Sequence, residues 1–373
     1  MKNLTIIFAL FFLSLIIQSC VEDKASSIQV ENSFEGKIID RFSEIDVSIN
    51  RIEDTSKHLF PISLLKIPDH SFLVIADYYE TKIQLQDCNG SIYYVAGGKG
   101  KGPGEFESIN QLHIGYDKHL YVLDLQLKRI NTFEIANKKL TYSSTISLES
   151  DPTLYLQGIH VTEWGNFGLY HYRNMTQKSE TQFLLYRLGH NFNPIEKLLT
   201  IPGDEQIEIV PNLFTDNFFG KRTLWDFDGK WFYYISSYNK EIKTFNLKTG
   251  KTGEPILLDL PERVNNPTAL QNIKQHLNFI NEDVYWKDLE SRKTLPLFRN
   301  ISVLDEQLYL SLFFPKSEHE IFLYKDLKSN SIKFLKTPYN FRLLANRYNS
   351  LYGINIDKQG NNQLMYLNLE LNK

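Results

Sequence analysis

Two stretches of the chain repeat each other. Residues 73–86 read LVIADYYETKIQLQ, and residues 120–133 read LYVLDLQLKRINTF. Each is an apolar run that ends in an aspartate, Asp77 or Asp124. A five-residue gap follows, then a second run that starts at Ile83 or Ile130. Both pairs of landmarks are 47 residues apart. Similar second runs recur around Phe183, Ile242, Ile321 and Leu364, at intervals of 53, 59, 79 and 43 residues. A short unit repeated in this way cannot bury its apolar surface alone and must stack on its neighbours. A period of ~40–50 residues made of short strands is that of propeller blades, each a four-stranded sheet. Six such units predict an all-β, six-bladed propeller.

The 79-residue interval holds a different pattern. Leu270, Ile273, Leu277 and Ile280 are spaced as on one face of a helix, and Asn266 precedes Pro267 as a start signal. A helical insertion is therefore expected near 262–298. Elsewhere the strands carry Val, Ile, Tyr, Phe and Leu at near-alternating positions. They are punctuated by Asn89-Gly90, Asp228-Gly229, Thr249-Gly250 and Gln359-Gly360. The last unit has strands near Leu351–Ile356 and Leu364–Leu369 but no outer strand after them. Upstream of the first unit, residues 42–49 (FSEIDVSI) alternate like a spare strand. Pairing the two would close the ring and remove an exposed sheet edge. The expected organisation is a leader over 1–19, a tether over 20–33 and one propeller over 34–373.

The leader is read from Met1-Lys2-Asn3, the apolar run Leu4–Ile17, and Gln18-Ser19-Cys20. A positive start, an apolar core and a small residue at the end form an export signal. The run is shorter than the ~20 residues needed to span a bilayer. The cysteine placement resembles a bacterial lipobox, although Gln18 departs from the usual small or apolar residue. That resemblance implies that Cys20 carries a lipid and becomes the new N-terminus. Loss of residues 1–19 removes one lysine and moves the net charge from −3 to −4. The acidic Glu22-Asp23 that follows is similar to surface-export signals of Bacteroidetes lipoproteins, without deciding between a periplasmic and an outward-facing site. Cys88, in the turn Asp87-Cys88-Asn89-Gly90, is left without a partner and is assigned no chemistry.

Residues 97–106 read GGKGKGPGEF, and a strand at Leu112-His113-Ile114 and then LYVLD follow. This resembles the loop and strand pattern of NHL-repeat propellers. More closely, it is similar to the six-bladed β-propeller lipoproteins of Bacteroidetes, which pair a GxGPGEF loop with a strand ending in Asp. The close match covers residues 59–133. The resemblance implies an extracytoplasmic propeller and assigns no activity. The loop's five glycines, with Lys99 and Lys101, invite a phosphate reading. A phosphate loop runs from a strand into a helix, whereas this one leads into another strand and contains Pro103 and Glu105. It is better read as a connection between blades.

Catalytic and metal motifs are missing. Gly250-Lys251-Thr252 lacks the required glycine at position 245, which is Phe, and reads as a hairpin turn. Asp226-Phe227-Asp228-Gly229 resembles part of a calcium loop, but Leu224 stands at the first ligand position. There is no Gly-x-Ser-x-Gly or His-Glu-x-x-His. The nine histidines are dispersed; His58, His70, His113, His160 and His171 fall near strand or loop ends where they can reach the central channel. The binding candidates are His58, His113, His160, His171, Lys99 and Lys101. Asp77 and Asp124, with Lys82 and Arg129 after them, recur at one blade position. Recurrence within a chain points to a structural task, the satisfaction of backbone N–H groups. The runs Trp231-Phe232-Tyr233-Tyr234 and Tyr78-Tyr79 invite a sugar-stacking role, but strand alternation turns half of each run into the core.

Composition narrows the classes further. Two cysteines exclude a disulfide scaffold, and 13% aromatic residues argue against disorder. With 41 basic and 44 acidic residues there is no positive excess to neutralise nucleic-acid phosphates. The favoured reading is a lipid-anchored monomeric binding module on the outer membrane, with no cofactor, whose partner is a glycan, a peptide or an outer-membrane protein. The alternative is a hydrolase or lyase resembling the gluconolactonase and amidating-lyase propellers, with a divalent metal held in the channel by residues from several blades.

Overall fold

The computed structural model describes residues 34–52, 61–66, 72–77, 79–87, 90–149, 151, 153–173, 181–276, 283–304, 306–313, 319–329, 331–338, 341–347, 350–356 and 362–370. Six antiparallel sheets form the blades. Blade 1 runs over strands Pro61–Lys66, Phe72–Asp77, Lys82–Asp87 and Ile92–Gly97. Blade 2 runs from Gln111 to Ser147, blade 3 from Leu154 to Pro202 and blade 4 from Thr223 to Leu257. Blade 5 spans Phe298–Pro338, and blade 6 spans Phe341–Glu370. The first strands of successive blades are neighbours, those of blades 3 and 4 meeting through the rings of His160 and Phe227, and that of blade 6 returns to that of blade 1, so the ring is closed. The six-bladed expectation holds.

Burial explains why these segments are strands. In the second strands of blades 1 and 2, five consecutive residues are buried, Leu73–Asp77 and Leu120–Asp124. A middle strand packs on a neighbouring blade through both faces, so its apolar run is continuous rather than alternating. Outer strands such as Pro194–Pro202 are mostly exposed and carry charge. The core is divided into clusters that lie between successive blades. Val74, Ile83, Leu112 and Leu120 join blades 1 and 2, and Phe167, Phe183, Phe232 and Phe245 join blades 3 and 4.

The N-terminal segment spans three blade positions. Helix α1, Phe34–Arg41, inserts Ile38 into the cluster between blades 4 and 5, with Ile235, Leu258 and Phe298. Ser43-Glu44 then adds a fifth, parallel strand to blade 5, opposite Lys333 and Phe334. Strand Asp46–Arg51 pairs antiparallel with the last strand, from Asp46 opposite Glu370 to Arg51 opposite Met365. It supplies the expected outer strand of blade 6. The extra pairing on blade 5 goes beyond that expectation.

Two faces of the ring differ. Turns between strands 1 and 2, and between 3 and 4, are tight hairpins such as Thr162–Gly165 and Phe227–Trp231. The opposite face carries the turns between strands 2 and 3 and the crossings to the next blade. Among the described residues every long addition lies there. These are the glycine-rich loop after blade 1, a hairpin of Gln206–Val210 and Leu213–Asp216 after blade 3, and the helices after blade 4. Helix α2 is Pro267–His276 and helix α3 is Asp283–Ser291, so the insertion is helical as expected; Leu277 and Ile280 lie outside the described residues. No described helix is long and apolar enough to cross a membrane.

Candidate functional site

The glycine-rich loop is closed on itself. Phe106 is fully buried, and its N–H donates to Gly98 O at 2.9 Å. Gly97 (φ +84°) crosses directly above this ring: a Cβ there would lie 2.6 Å from it. Glu105 accepts the Gly102 N–H at 2.7 Å through Oε2. Arg129 donates to the carbonyls of Lys101 (2.8 Å) and Glu105 (2.8 Å). A loop with a carboxylate in its mouth and a guanidinium on its carbonyls is a blade connection. Lys99 and Lys101 are exposed on its outside. The recurring aspartates satisfy backbone donors as expected. Asp77 Oδ1 accepts the N–H groups of Tyr79 and Glu80, both at 2.9 Å, and Asp124 accepts those of Glu107 (2.9 Å) and Leu127 (3.1 Å). Asp228 is a turn residue that accepts the Trp231 N–H at 2.8 Å.

Side chains on the first strands bind the backbone of the next blade. Gln111 of blade 2 accepts the Ile159 N–H at 2.7 Å and donates to Ile159 O at 3.0 Å. His113 Nε2 accepts the Val161 N–H at 2.8 Å, which places its proton on Nδ1. Asp226 of blade 4 accepts the Val303 N–H of blade 5 at 2.6 Å. Each contact satisfies a strand edge that would otherwise face the channel unpaired. His160, on the first strand of blade 3, lies 4.6 Å from the His113 ring and stacks on Phe227 at 4.7 Å. Burial lowers His113 to about 4 and holds His160 well below the usual imidazole range. Burial also pushes Asp226 up to about 7, against its two backbone donors.

The remaining candidates do not converge on these rings. His171 departs from the channel expectation: it lies in the second strand of blade 3, 5% exposed, stacked on Phe183 at 4.5 Å. Cys20, His58 and His70 lie outside the described residues. Among the described residues no three His, Cys, Asp or Glu side chains lie close enough to hold a metal ion.

A larger space opens between blades 3 and 4 on the face that carries the insertions. This cleft has a volume of about 830 Å³. Its walls are the ends of the outer strands of blade 3, the root of the hairpin, and Tyr234–Lys243 of blade 4. The helical insertion fixes one wall. Arg292 binds Asp288 at 2.7 Å and Glu205 at 2.5 Å, and Asn217 donates to Asp288 at 3.0 Å. Burial alone would raise Glu205, but Arg292 and the Lys221 N–H outweigh it and hold the carboxyl below its ordinary value. Asp204, at the floor, is raised by burial, partly offset by the Thr223 N–H and Arg222. None of these residues was a candidate from sequence. The only trace is the 59-residue interval that accommodates the hairpin.

A family described as 6-bladed beta-propeller, DUF5128, matches residues 20–341. The chain belongs to this family. Among solved structures, the ring is similar to a Bacteroides fragilis protein described as exported, with TM-score 0.55, 11% identity, and coverage of 87% of this chain and 95% of that one. It is also similar to a DUF4221 family member from Bacteroides vulgatus, with TM-score 0.50, 10% identity, and coverage of 88% and 99%. At these identities the likeness is one of fold. No curated protein matches the sequence. For this DUF5128 propeller, the insertions of one face and the cleft beneath them are the features that distinguish the ring from a bare scaffold.

Proposed function

We propose that this propeller is an exported binding module, held at a membrane through lipidated Cys20, that takes a small polar ligand into the cleft between blades 3 and 4. The observation that carries the reading is the cleft itself. Its volume of about 830 Å³ falls in the ~300–1,000 Å³ range of ligand sites. It lies on the face that carries the glycine-rich loop, the hairpin and the helices, where the ring departs from minimal hairpins. The lipobox-like leader and the exported description of a structural neighbour support the extracytoplasmic part. Cys20→Ala tests the anchor: the protein is expected to leave the membrane fraction and lose metabolic labelling by palmitate. Unchanged fractionation would overturn it. Glu241→Ala, on the exposed rim, tests the cleft in ligand screens by thermal shift, because bound ligand raises apparent stability with its affinity.

A further inference from the structure

The cleft's chemistry narrows what it accepts; the step rests on the binding reading above. Its polar groups include the planar, two-pronged side chains of Asp204, Gln206, Asn239 and Glu241. Such groups bridge neighbouring hydroxyls, since a carboxylate accepts two hydrogen bonds and an amide offers one donor and one acceptor side. Lys221 and Lys243 add ammonium donors. The charges are interspersed rather than summed. Arg292 neutralises Glu205, Arg222 lies 3.8 Å from Asp204, and Lys243 shares a strand with Glu241 two residues away. A strongly ionic ligand would meet no net field here.

One wall is aromatic. Tyr234 stacks on Phe232 with ring centroids 5.6 Å apart and planes inclined by 22°. It sits directly across the strands from Lys243. A ring held in this way keeps a fixed orientation beside hydrogen-bonding groups, the combination that fits a molecule with an apolar C–H face and a polar edge. Ile201, Pro202 and Ile235 are the other apolar side chains of the lining. A peptide adding to the sheet would need a ladder of backbone donors. Where the outer strand of blade 3 enters the cleft it ends at Pro202, which has no N–H.

We propose that the cleft between blades 3 and 4 binds a neutral, hydroxyl-rich ligand of the saccharide class, with Tyr234 as the stacking face and Glu241, Asp204 and Lys243 as its hydroxyl partners. The test is calorimetry on the full-length protein in detergent. The probes are glucose, galactose, N-acetylglucosamine and their disaccharides, with glucose 6-phosphate and a neutral tripeptide alongside. At least one neutral sugar binds at millimolar concentration. Tyr234→Ala and Glu241→Ala each weaken it on the order of tenfold, and Tyr234→Phe retains it. Glu241 is exposed, so its variant folds even if Tyr234→Ala does not. If only the phosphosugar or the tripeptide binds, and Glu241→Ala weakens it, the cleft is a site and the saccharide class is wrong. A sugar that binds unaffected by either substitution overturns both the class and the cleft. No binding by any neutral sugar overturns the proposal.

Discussion

The N-terminal segment closes the ring through two buried isoleucines, and its worth can be measured at each. Ile38 is fully buried between blades 4 and 5, and Ile45 is 3% exposed between blades 5 and 6, against Tyr309, Phe322 and Leu367. Isoleucine to alanine removes three carbons, about 2.4 kcal/mol of transfer free energy at ~0.8 per methylene. The cavity left behind raises this to about 2–5 kcal/mol per site. The two side chains lie in different clusters, so their costs add, to about 4–10 kcal/mol for Ile38→Ala with Ile45→Ala. That is a large share of the ~5–15 kcal/mol by which a domain is normally stable. Ile49, on the same segment but 51% exposed, is the internal control, expected to change stability by less than about 0.5 kcal/mol. Urea unfolding followed by tryptophan fluorescence and circular dichroism reads each variant against the unmodified protein. If the double substitution costs no more than Ile49→Ala, the segment is an appendage and not the closure of the ring.

Other outcomes follow from single residues. His113 is neutral in the fold, its pKa lowered from 6.5 to about 4, so the stability it contributes is present above pH ~6.5 and lost as pH falls toward 4. At 1.36 kcal/mol per unit this is about 3 kcal/mol, and His113→Gln flattens the acid limb of a stability–pH curve. Asp226 acts in the opposite sense: raised to about 7, it favours the fold below pH ~4 and loses that contribution as pH rises through 7. Asp226→Asn is therefore expected to lessen the decline between those values, and an unchanged slope in titrated unfolding curves would count against it. Gly97→Ala places a side chain against Phe106 at a positive φ, and thermal denaturation should register a loss of about 1–3 kcal/mol.

The blades were readable because their middle strands are buried on both faces, which leaves continuous apolar runs such as Leu73–Ala76 and Leu120–Leu123 at a fixed spacing. The aspartates were readable for the same reason: Asp77 and Asp124 do one local job twice. Ring closure could be inferred from a strand without a partner at each end of the pattern. The short parallel strand Ser43-Glu44 could not, because two residues carry no period. Nor could the cleft. Its walls come from segments between Thr181 and Lys243 that only the packing of two blades brings together, and each segment reads alone as ordinary turn or strand. His171 shows the converse limit: a polar residue in an apolar strand looked available until its burial against Phe183 was seen.

The pairing of the first strand with the last also sets an order of events. Ile49 lies opposite Leu367, 318 residues later in the chain. During synthesis the strand that closes the ring is made before any blade exists, and its partner is made after every other blade. Blades 1 to 4 can assemble from local hairpins as they emerge, but the ring stays open until the end. Throughout that interval the closing strand has no edge to join. Factors that slow or hold the growing chain therefore act on this one pairing more than on any blade.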